Sequence, residues 1–194
     1  IDAFDNTFFS ISNHEARMMS PEMRLSLGCA AGAVLDAGYS LKEVKGTNCG
    51  VIVSQSNSMY KLGIKERDGA SLIGNLPAMT AGNIAFHLDL RGPNLALSSE
   101  CASTLVAVHE AAVKVFTGQA DMMLVGGAET SNLDKDTLSE IDASGIISPS
   151  GNCLPFDKKA DGTMPGEGAG FLLIKRYDDA VKDGDHIYGC ILLT

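Results

Sequence analysis

Cys101 carries the clearest chemical signal in this sequence. It lies in Asn94-Leu-Ala-Leu-Ser-Ser-Glu-Cys-Ala-Ser-Thr-Leu-Val-Ala-Val-His109, where an extended apolar run passes into a helical one. A helix N-terminus offers backbone N–H groups without intrahelical partners and a partial positive charge, and both favour a thiolate. A nucleophile on a strand-to-helix turn is held stiffly and exposed at the edge of a sheet. The N–H groups of Cys101 and its neighbours are also in position to meet the oxygen of a thioester or ester, half of an oxyanion hole. Ala102 and Ser103 are small and leave room for a substrate chain. The competing reading is a buried small hydrophobe, a common role for free cysteine. Glu100 bears on the same chemistry, because a carboxylate facing the sulfur disfavours its charged form. In an extended segment neighbouring side chains point to opposite faces, and that geometry is expected here.

No base for Cys101 is evident. His109 follows on the same helix face, but eight residues place it about 12 Å away along the axis, against a hydrogen-bond reach of about 3 Å. It shares that face with Leu105, Ala112 and Phe116, the pattern of a core position. His14 lies in a polar segment, His87 near a helix end, and His186 at the start of an apolar run. None is flanked by chemistry that marks a base, so acid–base partners for Cys101 are expected elsewhere.

A second constellation is Pro155-Phe-Asp-Lys-Lys-Ala-Asp-Gly-Thr-Met-Pro-Gly-Glu-Gly-Ala-Gly170. Asp157, Asp161 and Glu167 are the candidates there for a paired-carboxylate site. Hydrogen bonding within a glycine-rich turn is the preferred alternative. Gly166 to Gly170 superficially resembles a nucleotide loop, yet it precedes a strand and lacks both the GxGxxG spacing and the P-loop lysine.

The elements that must position these residues follow from periodicity and punctuation. Ser20 as cap, Pro21 in the first turn and Gly38 beyond the end predict a helix from Pro21 to about Ala37. Gly28 and Gly32 inside it predict close approach of another backbone. Strands are predicted over Gly50–Ser54, Leu95–Ser98, Asp121–Gly126, Gly170–Lys175 and His186–Leu193, and Gly126-Gly127 is read as a sharp turn. Helices are predicted over about Thr80–His87, Ala102–Thr117, Lys135–Ala143 and Tyr177–Lys182, with a polar excursion from Gln55 to Pro77. Continuous apolar strands alternating with helices give an α/β fold, a mixed sheet covered by helices on both faces.

The chain has 194 residues, 45% hydrophobic and 20% charged, with a net charge of -9. That charge argues against nucleic acid or an anionic membrane surface as partner, and no apolar run reaches the roughly 20 residues of a membrane span. The five scattered cysteines show no CxxC pair and no metal spacing. A reduced, cytoplasmic protein with no metal and no bound cofactor is expected.

Eight ordered segments resemble the β-ketoacyl synthases of polyketide and fatty-acid assembly, in the thiolase-like superfamily. Asp2-Ala-Phe-Asp-Asn-Thr-Phe-Phe-Ser-Ile-Ser12 is similar to the family's DAFDAAFFGIS, Met19–Leu25 to MDPQQRL, and Leu35–Tyr39 to LEDAGY. Leu90–Asn94 is similar to LxGPS, Cys101-Ala-Ser-Thr-Leu105 to CSSSL, and Asp121–Ala128 to DLALAGGV. Ser148–Cys153 resembles SPDGRC, and Phe156–Gly170 resembles FDxxADGyvrGEGaG. The modular polyketide-synthase branch is the nearer likeness.

This resemblance implies a thiolase-like α-β-α fold over residues 1–194, of which the family's first strand and C-terminal half are expected to be missing. It implies that Cys101 accepts an acyl chain from the phosphopantetheine arm of an acyl carrier protein, its own N–H serving as an oxyanion donor. Decarboxylative condensation with a carrier-bound malonyl unit would follow. Two catalytic histidines and a lysine belong to the family's C-terminal half, so a complementary C-terminal half and a homodimer are the expected partners. Two alternatives stay open: a non-elongating, acyl-transferring ketosynthase, and a non-catalytic dimerisation or chain-length subunit, which usually lacks the cysteine. Glu100 departs from the family pattern, which usually has alanine or another small or apolar residue there.

Overall fold

The computed structural model describes residues 3–130 and 135–192. Its elements are α1 (Asn13–Met18), α2 (Pro21–Asp36), α3 (Leu41–Val44), β1 (Cys49–Ser54), α4 (Tyr60–Gly63), α5 (Gly69–Ile73), α6 (Pro77–His87), β2 (Asn94–Leu97), α7 (Ser103–Phe116), β3 (Met122–Glu129), α8 (Lys135–Ala143), β4 (Gly168–Lys175) and α9 (Tyr177–Asp183). Four helices begin where side chains satisfy first-turn amides. The Ser20 hydroxyl accepts from Met23 N at the start of α2, and capping boxes Ser12/Glu15, Ser40/Glu43 and Asp68/Ser71 start α1, α3 and α5. Helices this short do not persist on propensity alone, so caps and packing decide them.

The strands form one mixed sheet in the order β2-β1-β3-β4. β1 runs parallel to both neighbours, with Ile52 opposite Leu95 on one side and Val125 on the other. All six residues of β1 are buried, as expected of a central parallel strand. The alternation of side chains then sorts the core into two layers. Val51, Val53, Met122 and Leu124 pack with Met23, Leu27 and Val34 of α2 and Ile84 of α6. Ile52, Met123 and Val125 pack with Ala107, Ala111 and Val115 of α7. The result is the expected α-β-α layering, with α7 packed on the second face of the sheet.

Residues Glu129–Gly168 form a second compact unit, separate from the sheet-bearing one. It holds α8 and a loop closed by a bridge between Ile147 and Thr163. Ser148 is buried at its centre.

Three local expectations are corrected. Gly126 and Gly127 make no turn: they lie inside β3, and a Cβ on Gly126 would strike Gly170 O while one on Gly127 would strike Ser54 O. Their role is close backbone approach across the sheet, so the strand runs on through them. Gly28 and Gly32 face open space, with no heavy atom near an added Cβ; the tight contact of α2 runs along its other face. Residues 186–192 form no strand, because none pairs with them; a period-2 apolar pattern becomes a strand only where a neighbour supplies the ladder. The last residue of that expected strand, Leu193, lies outside the described ones. Instead the Tyr188 hydroxyl donates to Asp36 at 3.3 Å.

The end of β4 is fastened by a charged cluster. Lys175 Nζ donates to Asp183 at 2.6 Å, Asp185 at 2.7 Å and the Tyr39 hydroxyl at 2.9 Å, and Tyr39 donates to Asp185 at 2.6 Å. Burial alone would push the Lys175 ammonium down, but its bonds to Asp183, Asp185 and Tyr39 outweigh that and hold it well above the usual lysine range. Burial likewise pushes the Asp185 carboxyl up, and Lys175 and Tyr39 bring it below its ordinary value.

Two outcomes test this account. Gly127→Ala is expected to destabilise the fold by about 3 kcal/mol in urea unfolding, since the intruding methyl meets main chain that cannot yield. Lys175→Met should cost about 2 kcal/mol near neutral pH by leaving Asp185 without its counter-charge. The lowered Asp185 contributes stability above about pH 4 that is lost as pH falls through its folded value. The raised Lys175 contributes below about pH 10 and is lost as pH climbs through its own. The gap between native and variant unfolding free energies is therefore flat between those limits and closes in acid.

Candidate active site

Cys101 sits on the turn between β2 and α7 and is exposed. The turn is tied by its own backbone and one hydroxyl. Ala102 N donates to Ser99 O at 3.1 Å and Ser103 N to Glu100 O at 3.0 Å. The Ser103 hydroxyl accepts from Ser99 N at 2.7 Å and donates to Glu100 O at 2.6 Å. These bonds hold Glu100 at a φ of 50°, a left-handed conformation costing a side-chain-bearing residue about 1–2 kcal/mol. Each hydrogen bond returns about 1 kcal/mol, so the two made by the Ser103 hydroxyl are enough to offset the strain. Backbone strain of this kind collects at functional turns.

The extended geometry expected at Glu100 is thus not observed. Its positive φ removes the pleat that would send its side chain to the face opposite Cys101. The amides of Ala102 and Ser103, considered as oxyanion donors, are committed to the turn, which leaves the N–H of Cys101 itself as the candidate.

Below the turn, α7 is fixed to the sheet. Thr104 Oγ1 lies 2.8 Å from Ser54 Oγ, and Ser54 Oγ donates to Gly126 O at 3.3 Å. A hydroxyl has one proton, so Thr104 is the donor in the first bond. The end of β1, the first turn of α7 and β3 therefore meet within a few ångströms of main chain, which the glycines of β3 permit. The sequence gives Thr104 no mark beyond its place three residues past Cys101, and Ser54 none beyond ending a strand.

His109 is no core residue. It is exposed, with Leu105 77% and Phe116 75% accessible on the same face of α7. The helix packs on the sheet through its alanines, and the apolar pattern around His109 marks the other side. His14 pairs with Asp68 at 2.7 Å, and His186 stacks edge-on with Tyr188 at 4.5 Å. His87 bonds Phe9 O at 3.1 Å, and burial pushes its imidazole down. Buried Cys49 contrasts with Cys101: burial pushes its thiol up to about 12, which makes it inert. Among the described residues no group of three or more His, Cys, Asp or Glu is placed to hold a metal ion, and no helix is long and apolar enough to cross a membrane.

In the second unit, Asp161 accepts from the Ser148 hydroxyl at 2.5 Å, a bond that, with one from Ser150, holds its carboxyl below the ordinary range. Asp157 accepts from Lys159 N at 2.8 Å, and Glu167 is exposed. Gly162, at a φ of 150°, leaves no room for a Cβ beside Ser148 N, 2.6 Å away. Asp157 and Asp161 are tied into their own turns, and the glycine-rich loop is built around Ser148.

Residues 1–180 match the family model of the β-ketoacyl synthase N-terminal domain. The chain belongs to the β-ketoacyl synthase family. It is 39% identical to the polyketide synthase PksM of Bacillus subtilis over 191 residues, 98% of this chain and 4% of that protein. It is also 39% identical to the 6-methylsalicylic acid synthase of Aspergillus niger over 191 residues, 96% of this chain and 11% of the enzyme. The ketosynthase from module 6 of the bacillaene synthase of Bacillus subtilis superposes with a TM-score of 0.85 at 38% identity, covering 96% of this chain and 32% of that one. The ketosynthase from module 1 of the Bacillus amyloliquefaciens bacillaene synthase gives 0.83 at 34% identity, covering 95% and 33%. The chain thus shares the thiolase-like fold of polyketide ketosynthases and spans about a third of such a domain.

The hydroxyl link beneath Cys101 is open to a direct test. Ser54→Ala and Thr104→Val should each cost about 1 kcal/mol. The double variant should cost about the same as either single change, a non-additivity read from a double-mutant cycle in urea.

Proposed function

We propose that this chain is the nucleophile-bearing part of a polyketide ketosynthase and that Cys101 is its acyl-accepting residue. The observation that carries the reading is an exposed cysteine at the β2–α7 turn of a chain matching the β-ketoacyl synthase N-terminal domain. The Cys101 thiolate attacks the carbonyl of an acyl thioester on the phosphopantetheine arm of a carrier protein, and its own N–H donates to the oxygen that becomes negative. The carbon–sulfur bond to the arm breaks, and the departing thiolate takes up the proton that Cys101 gave up. A carrier-bound malonyl unit then loses carbon dioxide, and the resulting carbanion attacks the acyl group on Cys101. The new carbon–carbon bond expels the Cys101 thiolate. The histidines and lysine that move protons in this second step come from a complementary C-terminal half, and the working unit is a cytoplasmic homodimer. No cofactor is needed, because the phosphopantetheine travels with the substrate.

Incubated with a neutral acyl thioester, the protein should gain the acyl mass on the peptide holding Cys101, and Cys101→Ala should abolish that adduct. Malonyl-dependent chain extension should appear only with the complementary half present. Acylation at Cys101 without extension when both halves are present would mark a non-elongating enzyme. An undiminished adduct in Cys101→Ala would overturn the assignment.

A further inference from the structure

We propose that Glu100 selects acyl chains by charge, disfavouring those with a carboxylate near the thioester carbonyl and favouring those with an ammonium group there. The inference rests on Cys101 being the acyl-accepting residue.

Glu100 and Cys101 are adjacent, so their Cα atoms lie about 3.8 Å apart. With Glu100 at a φ of 50°, the backbone turns there as in a helix instead of pleating. Successive side chains in such a turn diverge by about 100° and not by the half-turn of a strand. A glutamate side chain can then sweep the same space that a substrate must enter to reach the sulfur. Glu100 is exposed, and among the described residues no lysine, arginine or histidine lies within ion-pair distance of it. Its backbone carbonyl is occupied by Ser103 N and Oγ, but its carboxylate charge is not compensated by a cation.

The same conformation also fixes the residue in place. Glycine adopts a positive φ without penalty, whereas glutamate is strained there, and the surrounding turn holds it in place through Ser103. The one residue of the turn that bears a charge is therefore fixed directly beside the nucleophile. A charge within a few ångströms of the reacting carbonyl, partly shielded from water by a bound chain, acts on a second charge in that chain far more strongly than in bulk solvent. Attraction and repulsion of this size correspond to about a tenfold change in loading rate in each direction.

Matched thioesters of N-acetylcysteamine separate charge from shape. Butanoyl is neutral, 3-aminopropanoyl replaces its terminal methyl with an ammonium group, and glutaryl carries a distal carboxylate. Loading rates onto Cys101 are read by mass spectrometry on the intact polypeptide that carries this chain. The expected order is 3-aminopropanoyl over butanoyl over glutaryl, with about tenfold between successive members at low salt. Both ratios should shrink to within about threefold in 0.5 M salt. Glu100→Gln should bring both ratios to within about twofold, while Glu100→Asp should preserve the order. Equal loading of the three thioesters by the native protein, or ratios unmoved by salt, would overturn the charge-selection proposal alone. Absence of acylation by all three would overturn the assignment of Cys101 and the proposal with it.

Discussion

The arrangement around Cys101 depends on how closely β1 and β3 approach at their C-terminal ends. Gly126 and Gly127 remove the side chains that would otherwise hold the strands and their neighbours apart. Ser54 can then bond the carbonyl of Gly126 while receiving the hydroxyl of Thr104. Three elements are thereby joined at one point, and α7 begins from that point. The turn that carries the nucleophile is built upward from a fixed floor, and its shape is finished by the two bonds of the Ser103 hydroxyl.

The same economy of bulk governs the packing of α7. Its inner face is mostly alanine, so the helix lies close over Ile52, Met123 and Val125. Small residues at a helix–sheet contact let backbone geometry set the distance. The opposite layer is different: Met23, Leu27 and Ile84 fill a deeper core against the other face of the sheet. The two faces thus do separate jobs, one holding the larger cluster of buried apolar residues and the other holding the nucleophile helix in register.

Much of this was legible in the sequence. Ser20-Pro21 and Gly38 bound a helix because capping and a positive φ need those residue types. The four strands of the sheet were readable as apolar runs, most plainly β1 and β3, which are buried at its centre and continuously apolar as such strands are. What the sequence concealed was long-range. The Gly126-Gly127 pair has the same appearance whether it bends a chain or lets two strands touch, and only the partner strands distinguish these. His109 sits in an apolar helical pattern, but that pattern does not reveal which side of α7 meets the sheet; alanines at 107 and 111 do. The strand expected from His186 had the right alternation and no neighbour to pair with. At the site, Cys101 was evident from its position, whereas Ser54 and Thr104 are ordinary residues made important by a contact between positions 50 residues apart.

The split character of α7 has a consequence for how such a turn can be retuned. Its inner, small side fixes the height of the sulfur above the sheet, and close-packed main chain has little compressibility. Its outer side bears Leu105, His109 and Phe116, none of which takes part in that support. Exchanging those outer residues alters the exposed face of the helix while leaving the mounting of the nucleophile untouched. The support of the nucleophile and the solvent-facing surface of α7 are thus carried on opposite sides of a single helix, and either can drift without dragging the other along.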